Sequence, residues 1–79
     1  MKIIIDPASP DFPFEQLAAG LRTMITTGKI TGRMPPMSEV AADSDVAVGT
    51  VQRAYSVLAA EGLIRTVKGR GTFVVDRQP

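Results

Sequence analysis

The stretch SEVAADSDVAVGTVQRAYSVLAAEGLIRTVKGRGTFVV, residues 38–75, decides the fold. Ser38 to Asp43 reads as a short helix entered from two prolines, Pro35 and Pro36, and Asp43-Ser44-Asp45 reads as a turn. From Ala47 a longer helix begins. Val51, Ala54, Tyr55 and Leu58 fall three and four apart on one face, and the pattern runs through Glu61 to a stop at Gly62. Leu63 to Val67 and Thr72 to Val75 are β-rich runs on either side of Lys68-Gly69-Arg70-Gly71, a tight basic turn, which predicts a hairpin. A short helix and a longer one joined by a turn make a helix-turn-helix, whose second helix enters the major groove of DNA. The hairpin that follows is then a wing. Its two glycines let the backbone lie close to phosphate, and its two cations add attraction.

Upstream, Phe14, Leu17, Ala18, Leu21, Met24 and Ile25 mark one face of a helix over about 13–27, with Gly28 just past its end. Lys29 to Pro36 contains Gly32, Pro35 and Pro36 and reads as a loop. Met1 to Ile5 reads as a short strand, and Pro7, Pro10 and Pro13 keep the following connector out of any helix interior. The fold class is α+β: a winged helix-turn-helix of three helices, a C-terminal hairpin wing and a short N-terminal strand.

Composition narrows the function. The chain has 79 residues, room for one domain spanning 1–79 and none for an effector domain beside it. With 44% hydrophobic and 22% charged residues it is an ordinary globular mix, not a disordered tail. It has no Cys and no His, which removes disulfides, thiolate or histidine metal sites and Ser-His or Cys-His catalysis. No apolar run approaches the roughly 20 residues that span a bilayer, and no signal peptide opens the chain, so a cytoplasmic setting is expected. Glu15, Glu39 and Glu61 do not form an acid/base pair in this topology, so no enzyme is expected. A domain this small buries only about 60% of its unfolded surface, which favours support from a partner chain or a larger ligand.

The formal net charge of +1 hides an asymmetry. Residues 1–45 carry four bases and six acids, net −2, whereas residues 46–79 carry five bases and two acids, net +3. A basic half is the electrostatic footprint of a nucleic-acid face, although an unevenly charged solvated surface gives the same count.

At this point the sequence resembles the N-terminal domain of GntR-type bacterial regulators. The resemblance rests on Thr50-Val51-Gln52-Arg53-Ala54-Tyr55, Leu58-Ala59-Ala60-Glu61-Gly62-Leu63-Ile64 and Gly69-Arg70-Gly71-Thr72-Phe73-Val74, and on Phe14-Glu15-Gln16-Leu17 with Ile25-Thr26-Thr27-Gly28-Lys29-Ile30. It covers about 13–75. Such regulators bind palindromic DNA as dimers, so the resemblance implies a sequence-specific duplex-DNA-binding transcriptional regulator, a repressor, acting as a homodimer. The helix over about 48–61 would lie in the major groove and the wing, 67–72, at the minor groove. No cofactor, metal or small-molecule ligand is expected, and the protein would be nucleoid-associated when bound.

Departures from the family pattern are informative. Where the family has Leu-Pro-Ser-Glu-Arg-Glu-Leu-Ala, this chain has Met34-Pro35-Pro36-Met37-Ser38-Glu39-Val40-Ala41, so a capping Ser becomes Pro36 and a DNA-contacting Arg becomes Ser38. Where the family has Val-Ser-Arg-Thr-Thr-Val-Arg, this chain has Val46-Ala47-Val48-Gly49-Thr50-Val51-Gln52, which removes a second cap and two more arginines. Replacements are present. Gln52 can pair with adenine, Val48 can touch a thymine methyl, and Arg53 lies one step round the helix. Thr50 can bond a phosphate, Gly49 lets the helix start approach closely, and Lys68, Gly69 and Arg70 supply the wing contact. The expected DNA-binding set is therefore Ser38, Val48, Gly49, Thr50, Gln52, Arg53, Lys68, Gly69 and Arg70. Two other readings stay open: an architectural or phage-type excision protein that bends DNA, and a winged helix adapted to a protein partner through Ala47 and Val48.

Overall fold

The structure, a computed structural model, describes residues 2–75. Its elements are α1 (Pro13–Thr26), α2 (Met37–Ser44), α3 (Val48–Ala60), β1 (Ile64–Val67) and β2 (Gly71–Val74). Three helices and an antiparallel hairpin in this order make the winged helix-turn-helix that the sequence predicts.

Apolar spacing places α1. Leu17, Ala18 and Leu21 are buried, and Pro13 occupies the first helical position, where its missing N–H costs nothing. Helix α3 lies across α1 and α2 and buries Val51, Ala54, Tyr55 and Leu58. The core also draws in Val40 and Ala41 from α2 and Leu63 and Ile64 from the hairpin. Leu17, Leu21 and Leu58 are fully enclosed, each worth about 1.5–3 kcal/mol relative to exposure.

Polar contacts then fix the helices to one another. The Tyr55 hydroxyl donates to the Pro35 carbonyl at 2.6 Å, tying α3 to the segment that leads into α2. Burial, aided by the Glu39 charge, pushes this phenol up to about 12, so it stays a donor through the physiological range. Arg22 on α1 grips Glu61, just past α3, through Nε and Nη2 at 2.7 and 2.6 Å. The hydrogen bond from Arg22 holds the Glu61 carboxyl below the usual carboxylate range.

The wing pairs Ile64 with Val74, Arg65 with Phe73, Thr66 with Thr72 and Val67 with Gly71. Arg70 N–H donates to the Val67 carbonyl at 2.9 Å and closes the tip, where Gly69 has φ 78°.

Three local expectations are corrected. Residues 2–6 form no strand: Ile3 is buried and its N–H donates to Ser44 Oγ at 3.0 Å, while Ile4 is 82% exposed and pairs with nothing described. Met1, expected in the same strand, lies outside the described residues, as do Asp76 and Arg77 from the charge count. Asp43 and Ser44 belong to α2, and the turn is made by Asp45, which takes a left-handed φ of 54° that Asp tolerates better than most residues. The 29–36 loop is not free: Arg33 bridges Phe73, Met34 N–H donates to the Thr72 carbonyl, and Val74 N–H donates to the Gly32 carbonyl. That segment acts as a third strand one bridge long.

Candidate nucleic-acid interface

Both members of the helix-turn-helix start without a side-chain cap. Pro36 precedes α2 and Ala47 precedes α3, and neither has a side-chain oxygen for the first-turn N–H groups, although the Pro36 carbonyl accepts from Glu39 N–H and the Ala47 carbonyl from Thr50 N–H, each at 3.0 Å. The positive end of each helix dipole favours an anion. Ser38 sits exposed in the first turn of α2.

The structure divides the expected α3 residues into two rows. Val48 and Gln52, four apart, share one face, and Val48 is 50% exposed. Ser56, exposed one turn further along, continues that row and donates its hydroxyl to the Gln52 carbonyl at 3.0 Å. Ser56 is not in the expected set, although its spacing from Gln52 already places it on this row. Gly49 and Arg53 form the adjacent row, turned toward the start of α1. Nothing lies within 4 Å of an ideal Cβ on Gly49, so packing inside the protein does not require a glycine there.

Arg53 is not at the same place as Gln52. Its Cζ lies 4.2 Å from the centroid of the Phe14 ring, a cation–π contact across to α1. Phe14 stacks in turn on Phe12, with centroids 6.1 Å apart and planes 11° from parallel. Thr50, half-buried, lines the groove between the two helix starts along with Phe12, Pro13, Phe14, Ala47, Gly49 and Arg53.

Lys68, Gly69 and Arg70 are exposed at the wing tip. They share no cavity or hydrogen bond with the α3 residues among the described contacts, so the tip and α3 are two separate points of approach. A further cation stands at the wing base. The Arg33 guanidinium lies where a side chain on Gly71 would be, since an ideal Cβ there would come within 3.0 Å of Nε. Gly71, at φ 118°, is required by its backbone, and a side chain there would also make the Arg33 head group shift.

Among the described residues no group of three or more His, Cys, Asp or Glu is arranged to hold a metal, and no helix is long and apolar enough to cross a membrane.

Comparison with known proteins adds independent findings. A family model for bacterial regulatory proteins of the gntR family matches residues 13–74. An uncharacterized HTH-type transcriptional regulator of Rhizobium meliloti is 41% identical over 63 residues, covering 77% of this chain and 26% of its own length. The HTH-type transcriptional repressor YtrA of Bacillus subtilis is 34% identical over 74 residues, covering 91% of this chain and 57% of its own. Among solved structures, AraR(DBD) in complex with operator ORX1 matches with a TM-score of 0.79 at 28% identity, covering 95% of each chain. The chain spans 26% to 57% of the length of the curated relatives it matches.

Proposed function

The chain belongs to the GntR family of bacterial regulatory proteins, and from that premise we propose that it is a sequence-specific duplex-DNA-binding transcriptional regulator that acts as a repressor. The observation that carries this reading is the match, over 95% of each chain, to a domain held on its operator. Residues 1–79 form one DNA-binding unit. In this reading α3 lies in the major groove with Val48 and Gln52 toward base edges, where Gln pairs with adenine and an aliphatic side chain meets a thymine methyl. Ser38, Gly49, Thr50 and Arg53 face the backbone, and Lys68, Gly69 and Arg70 meet the neighbouring minor groove. The repressors among the relatives support the sign of regulation. The protein works in the cytoplasm, nucleoid-associated when bound, as a homodimer on a palindrome, without a cofactor or small-molecule ligand in this domain.

Selection from a random duplex pool, followed by salt titration of the best binder, tests the proposal. A palindrome should emerge, with a log–log salt slope of about −3 for one subunit and about twice that for a dimer. A pool that yields no preferred sequence refutes sequence-specific reading. Multiple phased sites with bent DNA would instead favour an architectural protein.

A further inference from the structure

Resting on that reading, we propose that the groove between the starts of α1 and α3 seats one phosphodiester of the DNA backbone. The phosphate meets the Arg53 guanidinium and the Thr50 hydroxyl, and the deoxyribose lies against Phe12 and Phe14. Phe12 and Phe14 thereby become part of the DNA interface, and Arg53 becomes a residue that positions the duplex instead of reading it.

Three observations converge on this groove. Arg53 is the single cation in α3, and no described carboxylate lies within ion-pair distance of it. Its contact with Phe14 uses the face of the ring and leaves the guanidinium N–H donors in want of acceptors. An aromatic base under a guanidinium also fixes its direction, so less side-chain entropy is lost when it takes hold of an anion. Phe12 is 66% exposed, an unusual position for a large ring whose stacking partner is already in place. A sugar face is amphipathic in the same way: apolar carbons against the ring, with phosphate beside the cation. Gly49 contributes no side chain to the wall, and the open groove of about 490 Å³ admits a nucleotide's backbone.

The Phe14 contact draws Arg53 away from the Val48–Gln52 row. Phosphate contacts fix register and orientation but carry no sequence information, so Arg53 should contribute equally to every duplex.

The test uses the whole chain with a duplex from the random-pool selection and a scrambled duplex, titrated over about 50 to 200 mM salt. Arg53→Ala should weaken both by the same factor, about ten-fold, and make the salt slope shallower by about 0.9. Phe14→Leu keeps apolar bulk but loses the ring face, and should weaken both about three-fold. In the Arg53→Ala background it should add little. Circular-dichroism melts check that the variants fold, and Phe12→Leu, at an exposed position, serves if Phe14→Leu does not. Loss confined to the selected duplex would make Arg53 a base reader and overturn the proposal. Unchanged affinity for both would make the ring stack purely internal and overturn it too. If the unmodified chain binds neither duplex, the DNA-binding reading itself falls, and this inference with it.

Discussion

The start of α1 and the start of α3 border the same groove but are finished in opposite ways. At α1 the donors are answered from within: Glu15 Oε1 accepts from Phe12 N–H at 3.1 Å, and Gln16 ties the incoming chain by accepting from Asp6 N–H and donating to the carbonyls of Asp6 and Asp11. At α3, Ala47 offers no side-chain acceptor, and only its carbonyl takes a bond, from Thr50 N–H at 3.0 Å. The contrast teaches that side chains of α1 tie its own start to the chain before it, whereas no side chain does so at α3. In the proposed reading the helix without side-chain ties is the one that faces DNA.

The largest expected effect breaks the reading side. Gln52→Ala should cost up to about 3 kcal/mol of affinity for the selected duplex and relax preference at one base pair, while the scrambled duplex is bound as before. Affinity measured against single-base variants of the site checks this.

Next comes the tie between α3 and the segment that leads into α2. Tyr55 has a folded pKa of about 12 against an ordinary 10.0, so the unfolded chain loses its proton first. The stabilisation is whole below pH 10 and is lost as pH rises through 12, amounting to about 2 kcal/mol in urea melts across that window. Tyr55→Phe should be less stable at neutral pH and lack that additional loss.

The closed start is broken by Gln16→Ala. Loss of its bonds to Asp6 and Asp11 should cost about 1 kcal/mol in thermal unfolding. Affinity for both duplexes should fall slightly and together, since the chain leading into Phe12 loses its tie at Asp6 and Asp11 while Phe12 N–H keeps its bond to Glu15.

The smallest effect sharpens the comparison from the other side. Ala47→Ser adds the missing cap to α3, and Gly49→Ala removes a poor helix former at a site with room for a methyl group. Each should stabilise by about 0.5–1 kcal/mol. In Gly49→Ala, stability should rise while DNA affinity falls, because the methyl group occupies the groove.

Much of this was legible from spacing alone. The face made by Val51, Ala54, Tyr55 and Leu58 located α3, and the glycines around Arg70 located the wing, because helical period and turn chemistry are local properties. Ile3-Ile4-Ile5 misleads for the converse reason. Its composition suits a strand, but a strand needs a partner edge, and Ser44 meets only one of its N–H groups. The bridge at Arg33 was hidden behind Gly32, Pro35 and Pro36, which mark a loop whether or not a strand lies beside it. For the interface, residue types pointed to Gln52 and Arg53 together. Only the fold separates them, since the ring that captures Arg53 lies on another helix, 39 positions earlier in the chain.

The short bridge at Arg33 also bears on how this chain can vary in length. A two-stranded hairpin alone is marginal in water, and here β2 leans on the segment before α2 along its other edge. Within four residues, Gly32 accepts from Val74, Arg33 bridges Phe73, Met34 is buried and Pro35 accepts from Tyr55. An extra residue there would shift every one of these partners by one place and turn side chains to the wrong side. The stretch from Gly32 to Pro35 therefore has a length as constrained as that of a helix.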